Sequence, residues 1–509
     1  MSPGPHAGCG RSLRGVSAPS GFGLVFDNSF VRALPELCES WQAAEASTPV
    51  LLTLNDAVAL ELGLDPDALR SEAGVRALLA NPAPHGAAPV AQAYAGHQFG
   101  SFNPRLGDGR ALLIGEVIDT RGRRRDLHLK GSGRTPFARG GDGKAAVGPM
   151  LREYVMSEAM HALGIATTRS LAVLSTGEPV ARETMLPGAV LHRVAASHLR
   201  VGSFEYAMRH PDTALIRRLA DYAIERHYPD TLQHPQRYLA FFERVVDAQA
   251  SLIAQWMLVG FIHGVMNTDN MLVSAETIDY GPCAFMDAYH PGTVFSSIDH
   301  GGRYAYGNQP IIAQWNLARL GESLIGLMGD DWEAAVEPAT EVLRSFSVRY
   351  QRYFDIGLQH KIGLAAPSDE GALLARELLA VMEAHGVDYT STFRALARSL
   401  RGDRQSLDAL IVGSDVFAGW HQRWSEAVAA QGVSPHEAAD SMDAINPIYI
   451  PRNHLVDEAL NAATNGDLAP FDALVAVLAS PFTERTGLER YAQPAPPEFA
   501  AGFRTFCGT

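Results

Sequence analysis

The spacing of apolar residues changes along the first part of the chain. Between Pro35 and Leu79, apolar residues such as Leu51, Leu52 and Leu60 recur near the helical period, which predicts short helices. The run from Asn81 to Val90 is rich in Pro and Ala and predicts a linker. Beyond this linker the pattern changes to one that favours strands.

A hairpin is predicted between residues 110 and 130. Arg110 to Asp119 is a largely apolar run, and Thr120 to Gly122 has the composition of a turn. Asp126 to Lys130 then alternates polar and apolar side chains. This succession is typical of two antiparallel strands joined by a short connection.

The following segment combines one helix with more strands. Met150 to Leu163 has apolar residues at helical spacing and precedes Gly164, which predicts an amphipathic helix that ends there. Leu171 to Leu174 and Val180 to Thr184 predict two strands around a turn at Ser175 to Glu178.

Helical patterns dominate from Thr213 onward. The longest apolar stretch, Ala248 to Met266, is interrupted by polar residues, so it predicts a buried helix rather than a bilayer span. A short strand-like pair is predicted at Met271 to Val273 and Thr277 to Asp279. We therefore expect an α+β fold in which a small sheet-rich part precedes a large, mostly helical part.

Five segments are predicted along the chain. They are a disordered extension over 1–26, a helical segment over 27–90, a sheet-rich unit over 91–200, a helical unit over 201–490 and a tail over 491–509. The first 26 residues contain no acidic residue and no apolar signal region. A cytoplasmic protein is therefore expected.

Composition and charge exclude several classes of protein. The 509 residues are 47% hydrophobic, which excludes a disordered chain, and they contain only 4 cysteines, which excludes a disulfide framework. The 42 basic and 56 acidic residues give a formal charge of -14. An acidic protein of this kind is not expected to bind nucleic acid.

Lysine is rare in this chain. Lys130, Lys144 and Lys361 are the only lysines among the 42 basic residues, so the other basic positions are arginines. A retained lysine hints that a compact ammonium is needed where a planar guanidinium would not substitute. Two of the three lie close together beside glycine-rich segments, although chance retention explains this about as well.

Two glycine-rich segments are candidates for binding phosphate. Gly107, Asp108 and Gly109 lie between strand-like segments, where paired glycines let backbone N–H groups approach a phosphate closely. A tight turn explains the same motif without any ligand. The second segment, Gly140 to Lys144, is either a plain loop or a further set of nucleotide contacts.

The order of the charged residues indicates a nucleotide site. Lys130 closes a predicted strand, and Glu153 lies in the following predicted helix. A strand lysine paired with a helix glutamate grips nucleotide phosphates in the small lobe of protein kinases. An ordinary surface ion pair remains the alternative, although the low lysine content favours the functional interpretation.

A second group of candidates lies in the helical part. The segment His263 to Asn270 contains Asp269 and is followed by Asp279-Tyr280-Gly281, and such carboxylates and amides suit a divalent metal and a nucleotide phosphate. The order of parts resembles that of a protein kinase. Val265, however, stands where the catalytic aspartate of a kinase is expected, so ordinary γ-phosphoryl transfer is in doubt.

Longer motifs identify a closer resemblance. They run over Tyr94–Gly100, Asn103–Arg110, Leu129–Gly133, His263–Asn270 and Asn446–His454, and they resemble the selenoprotein O family, called YdiU in bacteria. The resemblance extends from about Phe26 to the C-terminus. It implies a pseudokinase-like, two-lobe fold with family-specific extensions that binds ATP in a flipped orientation and transfers AMP to hydroxyls of Ser, Thr or Tyr on proteins.

The resemblance also implies roles for individual residues. Asp269 would accept the proton of the attacking hydroxyl, Glu153 would support Lys130, and Asn270 with Asp279 would bind Mg²⁺ or Mn²⁺. The residues expected to contact the nucleotide are Gly107, Gly109, Arg110, Lys130, Asp142, Gly143, Arg193, Arg200 and Asp279. Without the resemblance, Arg193 and Arg200 are better explained as surface residues.

Other functions stay open at this point. Transfer of UMP from UTP would use the same residues, and nothing in the sequence distinguishes adenine from uracil. A silent nucleotide-binding scaffold is disfavoured because Asp269, Asn270 and Asp279 are intact. The expected partners are proteins that present hydroxyl groups, and neither nucleic acid nor a membrane is expected.

Two cysteines form a possible redox pair. Cys507 lies two residues before the end of the sequence, where the family carries selenocysteine or cysteine, and Cys283 lies two residues after Gly281. A disulfide would join the tail to the segment that follows Asp279. Free thiols are the alternative.

Overall fold

A computed structural model describes residues 23–329 and 331–506. Up to residue 200, which we call the sheet region, its helices are α1 (Ser29–Ala33), α2 (Asp56–Glu61), α3 (Pro66–Arg70), α4 (Glu72–Leu78) and α5 (Val147–Ala162). The strands of the same region are β1 (Cys38–Ser40), β2 (Val50–Leu54), β3 (Val90–Gln92), β4 (Gly96–Gln98), β5 (Ser101–Asn103), β6 (Ala111–Ile118), β7 (Arg124–Lys130), β8 (Ala145–Ala146), β9 (Arg169–Ala181) and β10 (Met185–Ala195).

One antiparallel sheet organises this region. Its strands lie in the order β1-β3-β6-β7-β10-β9-β2, and β8 pairs with β10. The predicted hairpin is confirmed as β6 and β7, in which Ala111 lies opposite Lys130. On the other side of β7, His128 lies opposite Arg193 of β10. These registers place Lys130 and Arg193 on neighbouring strands.

Alternating side chains along the strands serve two apolar cores. Leu112 and Leu129 belong to one core, which also contains Val58 and Leu78 from the short helices at the start of the chain. Residues on the opposite face, such as Leu113, belong to a second core shared with α5 and the helical part of the chain. The sheet is therefore covered on both faces, which explains its largely buried central strands.

Two predictions of secondary structure in this region, one of a helix and one of a turn, are wrong. Leu51 and Leu52 lie in β2, not in a helix, because the sheet edge at β9 recruits this apolar run. The turn predicted at Ser175 to Glu178 is absent, since β9 continues through it to Ala181. The chain reverses only at residues 182–184, where β10 begins to pair back along β9.

Residues 201–506 form the helical region. Its two short strands, β11 (Phe261–Ile262) and β12 (Ala284–Phe285), pair with each other. Its helices are α6 (Val201–Met208), α7 (Leu215–His227), α8 (Arg237–Leu258), α9 (Gln309–Leu324), α10 (Trp332–Lys361), α11 (Asp369–His385), α12 (Tyr389–Leu400), α13 (Gln405–Leu410), α14 (Asp415–Ala430), α15 (Pro435–Ile445), α16 (Asn453–Thr464), α17 (Ala469–Leu478), α18 (Glu489–Ala492) and α19 (Pro497–Gly502).

The segment around the predicted site differs from the sequence-based expectation. The buried helix α8 stops at Leu258, and β11 takes up the remaining apolar residues before His263. The predicted strand pair after Asn270 does not form. Leu272 bridges to Arg200 and Thr277 bridges to Thr167, so both segments attach to other parts of the chain instead of to each other.

These attachments fix the position of the site. Val201 N donates to the Met271 carbonyl and Val273 N donates to the Leu199 carbonyl, so the end of the sheet region is hydrogen-bonded to the segment that separates Asn270 from Asp279. None of the helices within the described residues has the length and hydropathy needed to cross a membrane.

Candidate active site

A cleft of about 520 Å³ brings most of the predicted site residues together. Its walls come from the glycine loop before β6, the end of β7, β10 and the loop between β11 and β12. The predicted residues that line it are Gly107, Gly109, Arg110, Lys130, Asp142, Gly143, Arg193, Arg200, Asp269, Asn270 and Asp279. Glu153 lies directly behind Lys130, which it contacts from α5.

Three cations converge on the Asp279 carboxylate. Oδ1 accepts from Lys130 Nζ at 2.8 Å and from Arg193 Nη1 at 2.7 Å, and Oδ2 accepts from Arg200 Nη1 at 2.8 Å. Burial opposes ionisation of Asp279, yet the charges of Lys130, Arg193 and Arg200 outweigh it and hold the pKa well below its usual value. The deepest part of the cleft is therefore a cationic clamp closed on an internal anion.

Each member of this clamp comes from a different element. Lys130 ends β7, Arg193 lies on β10, and Arg200 precedes α6. Asp279 has a φ of 64°, in the left-handed region that aspartate tolerates better than most residues. Arg200 Nη1 also donates to the backbone carbonyl of Asp269, which connects the clamp with the predicted proton acceptor.

A buried histidine holds Arg193 in place. His128 Nε2 lies 3.2 Å from Asp108 Oδ2, and His128 Nδ1 lies 3.3 Å from Arg193 Nη2. Arg193 is a donor, so His128 Nδ1 accepts and Nε2–H donates to Asp108. Burial lowers the pKa of His128, which favours this neutral form. Asp108, His128 and Arg193 therefore connect the glycine loop to the clamp.

The glycines of the loop are needed for close packing. Gly107 has a φ of 75°, and a Cβ there would lie 2.3 Å from the Phe137 ring. Gly143, with a φ of 71°, would place a Cβ 2.2 Å from the backbone of Gly133. Larger residues would push these loops apart, so the glycines keep the cleft narrow.

Asp142 lies at the exposed rim of the cleft. Its Oδ2 accepts from Arg182 Nη1 at 2.9 Å, and its Oδ1 accepts from the Lys144 backbone N–H at 3.0 Å. The hydrogen bond from Arg182 lowers the pKa of Asp142. This carboxylate is consequently ionised and fixed in direction at the opening of the cleft.

Asp269 is buried, and one of its oxygens is unpaired. Gln98 Nε2 donates to Oδ2 at 3.2 Å, whereas Oδ1 has no hydrogen-bond partner. Burial raises the pKa of Asp269 to about 6. A Cβ at residue 96 would lie 2.9 Å from Oδ1, so Gly96 leaves the space that this carboxylate occupies.

The hairpin of β4 and β5 anchors the loop that carries Asp269. Glu205 on α6 is buried and contacts both His97 and Thr268. The His97 backbone N–H donates to Thr268 Oγ1 at 2.7 Å. Gln98, His128 and Glu205 were not among the site residues predicted from the sequence. Gln98 lies within the quoted motif Tyr94–Gly100, so that motif was the available signal.

The predicted metal ligands suit a hard divalent cation. Asn270 Nδ2 donates to the Val265 carbonyl at 3.0 Å, which leaves Asn270 Oδ1 available, and Asp279 lines the same cleft. Oxygen donors of this kind are preferred by Mg²⁺, which normally completes its shell with water and phosphate oxygens. No cluster of three or more His, Cys, Asp or Glu residues suited to a metal occurs within residues 23–329 and 331–506.

Of the predicted redox pair, only Cys283 is within the described residues. Its thiol is buried, donates to the Tyr280 carbonyl at 3.4 Å and has a pKa that burial raises to about 12. Cys507 lies outside the described residues. Thr505, two residues earlier, donates from Oγ1 to the Pro282 carbonyl at 2.6 Å, so the tail reaches the residue next to Cys283.

Comparison with known proteins agrees with the motifs. A sequence model of the family described as "Protein adenylyltransferase SelO" matches residues 22–479. A "Protein nucleotidyltransferase YdiU" of Mycolicibacterium paratuberculosis is 58% identical over 492 residues, which cover 96% of this chain and 98% of the relative. Relatives of the same name from Pseudarthrobacter chlorophenolicus and Cereibacter sphaeroides are each 57% identical, over 96% and 95% of this chain and 98% and 99% of their own lengths. The chain belongs to the SelO family.

Proposed function

We propose that this chain is a protein nucleotidyltransferase with a kinase-like two-lobe fold, which transfers AMP from ATP to Ser, Thr or Tyr hydroxyls of proteins. The observation that carries the proposal is the clamp of Lys130, Arg193 and Arg200, which lines the same cleft as Asp269. The Oδ1 atom of Asp269 has no hydrogen-bond partner. The family description, an adenylyltransferase, supports AMP as the transferred group.

The clamp supplies what the leaving group requires. In AMP transfer the acceptor oxygen bonds to the α-phosphorus, and the bond from that phosphorus to the bridging oxygen of the β-phosphate breaks. Pyrophosphate departs with more negative charge than it carried within ATP. Lys130, Arg193 and Arg200 would stabilise this charge as it develops, provided that ATP lies with its β- and γ-phosphates in the clamp.

Asp269 would take the proton of the acceptor hydroxyl. Its Oδ1 is free to accept, while Gln98 fixes Oδ2. Val265, at the position of the kinase base, has no acidic group, and its carbonyl is occupied by Asn270. Phosphoryl-type transfer depends more on positioning and charge than on strong base catalysis, so one carboxylate near the acceptor is enough.

Asn270 and Asp279 would hold a divalent cation, Mg²⁺ or Mn²⁺, together with phosphate oxygens. When bound, such an ion supplies positive charge to the phosphates and helps to orient them. Binding would require Asp279 to exchange part of its contact with the three cations for the ion, and the phosphates would take over those cations.

The test uses the full chain with Mg²⁺ or Mn²⁺ and ATP labelled at either the α- or the γ-phosphate. Label on protein from the α position alone is the expected result. Label from the γ position alone would replace the proposal with protein kinase activity. Nucleotide binding without any labelling, with casein as an added acceptor, would favour a scaffold. A parallel reaction with α-labelled UTP measures the alternative transfer of UMP.

We also propose that Cys283 and Cys507 form a disulfide under oxidising conditions. Two thiols would lose two electrons and two protons to an added oxidant such as hydrogen peroxide. The contact between Thr505 and Pro282 supports the required proximity. Non-reducing peptide mapping after oxidation should find the two cysteine peptides joined, and their absence as a pair would end this proposal.

A further inference from the structure

The tip of the β4–β5 hairpin has an unusual conformation. Phe99 and Gly100 form its turn, with φ values of 50° and 85°. Glycine takes this conformation readily, but a bulky residue such as Phe99 does so at a cost in free energy. The Phe99 N–H is held by Asn267 Oδ1 at 3.1 Å and Tyr304 Oη at 3.2 Å. The strained turn is thus fixed to the loop that carries Asp269.

This turn presents an aromatic side chain at the cleft. Phe99 is 39% exposed, and Ile298 nearby in the cleft lining is 49% exposed. Asp269 lines the same cleft, and Gln98, the neighbour of Phe99, contacts it. Two exposed apolar side chains therefore line the same cleft as the carboxylate of Asp269.

Two arginines lie on aromatic rings beside the turn. The Arg303 guanidinium lies 5.0 Å from the centre of the Trp315 ring, and the Arg209 guanidinium lies 4.2 Å from the centre of the Phe102 ring. His97 connects these rings, with centroid distances of 5.0 Å to Phe102 and 5.2 Å to Trp315. We call Phe99, Phe102, Arg209, Ile298, Arg303 and Trp315 the hairpin patch.

The arginines of the hairpin patch have no acidic partner. Within the described part of the chain, no carboxylate oxygen lies within 4.0 Å of either guanidinium. Arg209 Nη1 donates to the Glu205 backbone carbonyl at 3.2 Å, and Arg303 Nε is buried without a hydrogen bond. Both guanidiniums therefore lack an anionic partner among the described residues, although the formal charge of the chain is -14. Stacking on the rings keeps each planar group in place and leaves N–H donors for a ligand.

We infer that the hairpin patch binds an acidic segment of the protein substrate next to the acceptor hydroxyl. Carboxylates of that segment would pair with Arg209 and Arg303, and an apolar residue would pack on Phe99 and Ile298. Bidentate guanidinium–carboxylate pairs favour glutamate or aspartate in these positions. This inference rests on the proposed function for the acceptor hydroxyl, but the binding step itself requires no catalysis.

Direct binding tests the inference first. A fluorescein-labelled peptide with Ser, Thr and Tyr flanked by glutamates is titrated with the full chain, and its anisotropy is compared with that of the same peptide carrying glutamines. We expect at least tenfold tighter binding of the glutamate peptide. The double substitution R209Q/R303Q should reduce this preference at least fivefold, while R344Q, an exposed arginine on α10, should preserve it.

Several results would overturn the inference. They are equal affinity for the two peptides, a preference that survives R209Q/R303Q, or equally tight, arginine-dependent binding of a labelled oligothymidylate. ATP affinity, measured in the same variants, reports whether each is folded. If the double variant does not fold, R209K/R303K provides the comparison, since lysine keeps the charge but not the bidentate contact.

Labelling then separates the two proposals. With α-labelled ATP, the glutamate peptide should have the lower KM, and R209Q/R303Q should raise that KM with little change in kcat. A peptide that binds through the arginines but is never labelled would contradict the proposed function and leave the hairpin patch supported. Labelling of both peptides with equal KM would reject the patch and support the proposed function.

Discussion

Two buried lysines, Lys130 in the cleft and Lys361 in the helical region, are held in opposite ways. Lys130 contacts two carboxylates, those of Glu153 and Asp279. Lys361, the last residue of α10, contacts no carboxylate within the described residues. Its Nζ donates to Asn446 Oδ1 at 2.7 Å and lies 4.0 Å from the centre of the Phe393 ring.

The difference separates a charge that faces the cleft from one that is enclosed by the fold. The partners of Lys130 are anions that a phosphate is able to replace, so its charge is available to a ligand. Lys361 is buried among the rings of Tyr389 and Phe393 and the side-chain amide of Asn446. Burial lowers the pKa of Lys361 to about 7. Asn446 Nδ2 returns a hydrogen bond to the Lys361 carbonyl at 2.8 Å, which joins α10 to the segment after α15.

Replacing Asp279 with Asn should have the largest effect on transfer. The substitution removes the one anion that orients all three cations and that would also hold the metal. We expect a loss of about 10³-fold in kcat/KM, because removal of even a single stabilising donor at a reacting centre costs about 10²–10³-fold. Transfer of label from α-labelled ATP measures the effect, and activity within threefold of the parent would contradict the site assignment.

Lys130→Met and Lys361→Met test the comparison directly. We expect Lys130→Met to lose about 10²-fold or more in kcat/KM, the scale of one charged donor. Lys361→Met should retain transfer within about twofold, because Lys361 lies outside the cleft lining. Both are assayed with α-labelled ATP, and urea unfolding checks the fold. Loss of activity in a stably folded Lys361→Met variant would break the distinction.

The pH dependence of stability should reveal Lys361. Its folded pKa, about 7, lies below that of an unfolded lysine, so the unfolded chain binds more protons between these values and stability rises with pH. From pH 7 to pH 9 this group should add up to about 2 kcal/mol to the free energy of unfolding. Urea titrations at pH 7 and pH 9 measure the free energy of unfolding of the parent and of Lys361→Met, and this free energy should rise by about that amount more in the parent. An equal rise in both proteins would show that the contact with Phe393 keeps the ammonium charged in the folded state.

Among the variants of cleft residues, the smallest loss of transfer is expected at His128. His128→Leu removes the hydrogen bond that positions Arg193, and a bond to a charged group contributes about 1.5–3 kcal/mol, or about tenfold or more. His128→Gln, which keeps a polar side chain, should recover part of the loss in kcat/KM. A role in packing alone would instead lower the urea midpoint without separating the Leu and Gln variants in activity.

Local patterns predicted the elements whose partners lie nearby in sequence. The hairpin of β6 and β7 and the helix α5 both follow from periodicity, because their own apolar faces define them. Leu51 and Leu52 were assigned to a helix because the spacing is ambiguous over so short a run. Their strand partner, β9, lies more than 100 residues away, and only the folded sheet determines the choice.

For the candidate site, too, the sequence indicated some residues and missed those that depend on distant contacts. Charged residues in a recognisable order indicated Lys130, Asp269 and Asp279, and the structure places all three in one cleft. His128 and Glu205 were missed because each acts through another side chain across a distance of 65 or 63 residues. Nothing in a single sequence pairs such residues, since their contact depends on strand register and on the packing of α6.

The carboxylate enclosed by the clamp gives the resting protein a built-in competitor. A bound triphosphate would have to displace Asp279 from at least part of its contact with Lys130, Arg193 and Arg200. Binding would therefore replace one buried anion, the Asp279 carboxylate, with another, the phosphate. Free pyrophosphate is the simplest anion able to make the same exchange. After transfer, Asp279 would compete with pyrophosphate for the same three cations, so the carboxylate would favour release of the product of the proposed reaction.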